Sequence, residues 1–89
     1  VGGLSVSDPA IDLAVCAAIK SSVKDVAISP DLVYFGEVGL TGEVRGTWGI
    51  DSVVKEAVRA GYKELVVGRM KVGKESKLKI RKMQKISIL

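Results

Sequence analysis

The 89 residues include no histidine and a single cysteine, which removes most of the groups that usually do chemistry. Composition rules out histidine triads and histidine metal sites. Cys16 alone can neither close an internal disulfide nor assemble a metal cluster. Unpaired cysteine usage fits a reducing, cytoplasmic setting, and Cys16 sits in an apolar helical run, where a core thiol is expected. The glycines of Gly36-Glu37-Val38-Gly39 and Gly42 could in principle cradle a phosphate. Yet no Gly-x-x-x-x-Gly-Lys-Ser/Thr run occurs, and the spacing does not fit a dinucleotide fingerprint. These glycines are read as permitting tight turns and close backbone packing.

Charge offers a second kind of chemistry. Residues 1–68 carry six basic and nine acidic side chains, whereas residues 69–89 carry eight basic side chains and only Glu75. The basic set is Arg69, Lys71, Lys74, Lys77, Lys79, Arg81, Lys82 and Lys85. Such a segment attracts phosphate backbones at long range. The competing reading is a solvated basic edge that keeps the chain soluble, because no stacking aromatic accompanies the charges.

The elements that must position these groups are legible from pattern. Hydrophobic residues make up 47% of the chain and aromatics 4%, so aliphatic side chains must build the core of one small domain. Val1–Val6 reads as an extended entry. Asp8 and Pro9 suit the cap and first position of a helix from Pro9 to Ser22, with Ile11, Val15, Ala18 and Ile19 at helical spacing. Leu32–Phe35 is an apolar run typical of a buried strand. A glycine-rich turn and the extended Glu43-Val44-Arg45 follow. A second helix is predicted over Ile50–Ala60, with Ile50, Val53, Val54, Ala57 and Val58 buried and Gly61 ending it. Lys63–Val67 reads as a strand. Lys77–Met83 alternates as an amphipathic strand with Leu78, Ile80 and Met83 on one side. The fold class is therefore α/β, two helices on a sheet. No stretch approaches the roughly 20 apolar residues of a membrane span, and the first apolar run, broken by Asp8 and Asp12, does not read as a signal peptide. The chain opens on Val1 without a methionine and is expected to be a piece of a longer protein.

A more specific pattern lies in the middle. Gly36-Glu37-Val38-Gly39-Leu40-Thr41-Gly42-Glu43-Val44-Arg45 resembles the central signature of Lon-type proteolytic domains. Lys55-Glu56-Ala57-Val58-Arg59-Ala60-Gly61-Tyr62-Lys63 resembles the helix that bears their catalytic lysine and its exit into the next strand. Val1-Gly2-Gly3-Leu4 and Asp8-Pro9-Ala10-Ile11-Asp12-Leu13-Ala14 resemble the segment that holds their catalytic serine. The spacing between the three blocks agrees, from Val1 to about Val67. In detail the wording is similar to the C-terminal Lon-protease-like domain of the bacterial RadA/Sms DNA-repair family. Gly-Glu-Val-Arg is also shared with magnesium-chelatase-like proteins related to the natural-transformation factor ComM. The resemblance implies a Lon-protease-like two-layer sandwich, like the second domain of ribosomal protein S5, present here as an incomplete copy over residues 1–89.

Carried over residue by residue, the resemblance places the nucleophilic serine at Ala10 and the lysine base at Asp51. Alanine offers no nucleophile and aspartate cannot take the lysine's role, so the resemblance implies a pseudo-protease. Ser7, just upstream of Ala10, and Lys55, one helical turn after Asp51, offer a shifted pair, the alternative in which the chain is an active Lon-type protease. Two stretches depart from the family pattern. Gly46-Thr47-Trp48-Gly49 replaces a proline and polar pair, and Gly68-Arg69-Met70-Lys71 replaces a proline and polar loop. Trp48 has two equal readings, an interface plug or a ring packed on the domain's own surface. For the whole protein the resemblance implies a branch-migrating DNA-repair ATPase that works with the RecA recombinase, uses ATP and Mg, and carries Zn in a finger outside this chain. This portion would be a non-catalytic scaffold in a hexameric ring that offers Arg45 and the tail basics to DNA. No metal or cofactor site is expected within these residues. The remaining alternative is an accessory domain of a chelatase-like AAA protein.

Overall fold

A computed structural model of the chain describes residues 12–73 and 77–88. The entry at Val1–Val6, the capping pair Asp8-Pro9, and Ser7, Ala10, Ile11 and Lys74 lie outside the described residues. Helix α1 (Asp12–Lys24) is followed by β1 (Leu32–Phe35), β2 (Glu37–Val38), β3 (Val44–Arg45), α2 (Ile50–Arg59), β4 (Glu64–Val67), β5 (Lys79–Lys82) and a short 3-10 turn at Ile86–Ile88. The strands at 32–35 and 64–67, the helix at 50–59 and the strand at 79–82 fall where the pattern predicts them. The chain is α/β.

One sheet holds β1, β4 and β5 in that order, all parallel, with Leu32 beside Glu64 and Glu64 beside Lys79. The second is the β2–β3 hairpin, antiparallel, with Glu37 opposite Arg45 and Val38 opposite Val44. Residues 84–86 extend this hairpin: the Val44 amide donates to the Gln84 carbonyl at 2.8 Å, and the Ile86 amide to Gly42 at 2.8 Å.

Alternation along β4 divides the interior in two. Leu65 and Val67 face α2 and pack with Phe35, Ile50, Ala57 and Leu78. Val66 faces the other way and packs with Leu13 of α1, Val44 of the hairpin and Met83. The two helices therefore lie on opposite faces of the parallel sheet. The described residues form three layers, α2, sheet, and α1 with the hairpin, where two were expected. Met83 falls with the α1 cluster, across the sheet from Leu78 and Ile80, because it lies an odd number of positions from both.

The buried stripe of α1 also differs from expectation. Leu13 and Ala17 are buried, while Val15, Ala18 and Ile19 are exposed and Cys16 is only half-buried. The helix is apolar nearly all round, so periodicity alone does not select its inner face. Two anchors select it instead: the Leu13 amide donates to the Gly36 carbonyl at 3.0 Å, and the Asp12 carboxylate accepts from the Val38 amide at 3.3 Å. Helix α2 behaves as predicted, with Ile50 and Ala57 buried, Val53, Val54 and Val58 half-buried, and Gly61 at φ 87 just beyond its end.

Leu65 is fully buried between β1, β5 and α2. Leu65→Ala should lower unfolding free energy by about 3 kcal/mol or more through transfer and cavity terms. A urea titration followed by circular dichroism measures this, and Ala18→Ser on the exposed side of α1 should shift the midpoint little by comparison.

Candidate nucleic-acid interface

The candidate basic residues separate by their surroundings. Arg45 projects from β3 over the hairpin, and its Nη2 donates to Glu43 Oε1 at 2.7 Å while Nη1 donates to Glu37 Oε1 at 3.3 Å. The Thr41 hydroxyl also donates to the Glu43 carboxylate. That hydroxyl first, then the Glu43 backbone amide and the Arg45 guanidinium, hold the Glu43 carboxyl at about 2. The two carboxylates in turn raise Arg45 above its ordinary value, Glu43 foremost. Arg81 on β5 behaves alike, its Nε donating to Glu64 Oε2 at 2.7 Å, and this hydrogen bond raises it. Arg45 and Arg81 thus already face carboxylates. A phosphate would have to compete for both.

Arg69, Lys71 and Lys82 are different. Together with Met70 they line one open cleft of about 550 Å³, and all three are exposed and without an ion pair among the described residues. Lys82 reaches the cleft from β5, where it sits beside Val67. Arg69 follows β4 after Gly68 and bridges to Arg45 in parallel fashion. Two glycines make that crossing fit. A Cβ at Gly68 would lie 2.4 Å from the Arg45 carbonyl carbon, and one at Gly46 would lie 2.5 Å from the Met70 Cβ. Any side chain at either position would push the two segments apart. The two stretches that depart from the family pattern, at 46–49 and 68–71, therefore meet in space at Gly46 and Gly68, and the second of them supplies three of the four cleft residues.

The other candidates are scattered. Lys77 and Lys79 are exposed around β5, and Lys85 is exposed beside Glu43, to which its backbone bridges. Lys74 lies outside the described residues. Trp48, in the turn before α2, is 88% exposed, so little of its ring is covered by the described residues. Of the two degenerate positions, Asp51 is exposed in the first turn of α2, and Ala10 lies outside the described residues, as does Ser7. Lys55 is exposed one turn after Asp51.

Sequence reasoning named every cation of the cleft and missed their convergence. The signal was present as the paired departures at Gly46 and Gly68, which carry no periodicity of their own.

A family described as Subunit ChlI of Mg-chelatase matches residues 3–71, most of the chain. The chain belongs to this family. Among relatives, the DNA repair protein RadA of Aquifex aeolicus is 48% identical over 66 residues, which covers 74% of this chain and 15% of that protein. RadA of Bacillus subtilis is 46% identical over 66 residues, covering 74% of this chain and 14% of its own. RadA of a Synechocystis species is 37% identical over 75 residues, covering 84% and 15%. The resemblance to RadA read from the signature and its flanking blocks is borne out, and the family description carries the chelatase wording that Gly42-Glu43-Val44-Arg45 shares. The chain spans about one seventh of the length of these relatives.

The hairpin network makes a prediction about pH. Glu43 is depressed from 4.5 to about 2 in the folded chain, so its contribution to stability is fully present above the unfolded value and fades as pH falls toward 2. Carboxylate chemical shifts should show Glu43 still ionised at pH 3. Thr41→Val should bring its midpoint back toward the ordinary carboxylate range, and Arg45→Gln should do so to a lesser degree.

Proposed function

We propose that this chain is a non-catalytic scaffold domain of a RadA-like DNA repair and recombination protein. The observation that carries the proposal is the 48% identity to a DNA repair protein RadA over 74% of the chain. On this reading the α/β fold is an incomplete Lon-protease-like domain. It holds copies of the parent protein in a hexameric ring, and its basic face is offered to DNA. No proteolysis is expected, since alanine and aspartate stand at positions 10 and 51, where the Lon-type resemblance places a serine and a lysine. The parent would supply ATP, Mg and Zn sites in its other parts and would act in the cytoplasm beside a RecA recombinase.

A second reading draws on the family description. An accessory domain of a magnesium-chelatase-like AAA protein would share the signature but belong to a chain whose ATPase lies downstream rather than upstream. The flanking sequence distinguishes the two.

Light scattering on the chain with its upstream flank restored tests the scaffold reading. A solution mass near six protomers is expected. A monomer at high concentration would move the oligomerising role to other parts of the parent protein.

A further inference from the structure

The groove under the C-terminal half of α1 is unexplained by the fold. Leu13 and Ala17 are the buried positions of that helix, and the same stripe continues as Lys20 and Lys24. Both lysines line an open groove of about 410 Å³ whose apolar lining includes Val26, Ile28, Leu32 and Tyr34. Among the described residues that line it there is no carboxylate. One wall is held in place by its own backbone: the Val26 amide donates to the Ser21 carbonyl at 3.0 Å, and the Ser21 hydroxyl donates to the Val26 carbonyl. Beside the groove runs an edge of the parallel sheet, since among the described residues β1 pairs only with β4. The Asp31 carbonyl accepts from the Lys63 and Glu64 amides and so points towards β4. Alternation then turns Leu32, Tyr34 and Gly36 to the open edge. There the Leu32 amide is closed by the Ser29 carbonyl, and the Gly36 carbonyl by the Leu13 amide. Tyr34, between them, presents its amide and carbonyl outwards.

We propose that this edge and groove form one docking site for an extended peptide segment that carries carboxylates at alternate positions. The peptide adds as a further strand beside β1, and its acidic side chains cross the groove to Lys20 and Lys24. An open strand edge selects an extended backbone over a helix, because main-chain hydrogen bonds supply the affinity. The two ammonium groups select negative charge. Spacing favours alternation: side chains on one face of a strand recur about every 6.6 Å, close to the ~6 Å rise between helical positions four apart. Glutamate suits the gap, since its methylenes cover the apolar lining while its carboxylate meets a lysine. The site is separate from the Arg69–Lys71–Lys82 cleft, whose Lys82 lies on β5 at the opposite edge of the sheet. It does not depend on the DNA-repair reading.

The 89-residue chain, isotopically labelled, is titrated with an end-blocked peptide of about eight residues alternating glutamate and valine, within the usual length of a strand. Amide chemical shifts are followed by nuclear magnetic resonance. Saturable shifts at Leu32–Phe35 and around Lys20 and Lys24 are expected. A peptide with lysine in place of glutamate should bind about 3- to 30-fold more weakly, and Lys20→Glu with Lys24→Glu should reverse that preference. Circular dichroism checks that the variant folds. N-methylation at every peptide bond of the ligand removes its donors and should abolish binding. Equal affinity for the acidic and basic peptides overturns the charge assignment. Shifts confined to another surface, or no saturable binding at millimolar peptide, overturn the site. Light scattering on the same samples separates the other occupants. A dimer of the chain that the peptide dissociates overturns the proposal in favour of a second copy at this edge. Loss of peptide binding when the upstream flank is restored overturns it in favour of the parent's own chain.

Discussion

Burial of β4 on both faces is the constraint around which the rest is arranged. Leu65, Val66 and Val67 have no solvent exposure, and a strand in that position must satisfy its backbone on both edges and its side chains on both faces. β1 and β5 do the first. Helix α2 covers one face, and α1 with the hairpin covers the other. Aliphatic residues supply most of this cover, with Ala17 of α1 and Ala57 of α2 buried among them. What leaves β4 at its C-terminal end is equally constrained: Gly68 passes against the Arg45 carbonyl with no room for a side chain.

That crossing is where architecture turns into surface chemistry. The basic segment is one run in sequence, but the structure divides its members by partner. Arg81 is drawn to Glu64, as Arg45 is to Glu37 and Glu43, and exposed pairs of this kind contribute little to stability. They do fix which cations remain unmatched. Arg69, Lys71 and Lys82, which join no ion pair among the described residues, lie together at the exit of β4. A net positive charge thus becomes a local feature with an edge, and its position follows from the same glycines that let β4 stay buried.

Much of this was legible in the residues. The apolar run Leu32–Phe35, the spacing Ile50, Val53, Val54, Ala57, Val58 and the stop at Gly61 each match an element of the structure, since one face or the whole strand is buried and the pattern has a single solution. Helix α1 was different. With valine, alanine and isoleucine on every side, its sequence is compatible with several orientations, and hydrogen bonds to Gly36 and Val38 choose among them. The layer count was illegible for a related reason, because placing helices on one face or two depends on strand order, which periodicity does not encode. The cations of the candidate site could be named one by one. Which of them would be paired off depended on long-range register, such as the placing of Glu64 in the strand next to Arg81.

The parallel sheet carries a consequence for how the chain acquires its structure. β4 pairs with a strand far upstream and with another well downstream, and neither partner is joined to it by a hairpin. Almost nothing in the central sheet can form until distant segments have been brought together, which places the entropic cost of loop closure before most of the hydrophobic gain. The β2–β3 hairpin and α2 are the local exceptions, and both lie between β1 and β4. By shortening the effective distance between those two strands they act as a folded spacer. During synthesis the central strand would remain without one of its edges until the β5 segment had left the ribosome.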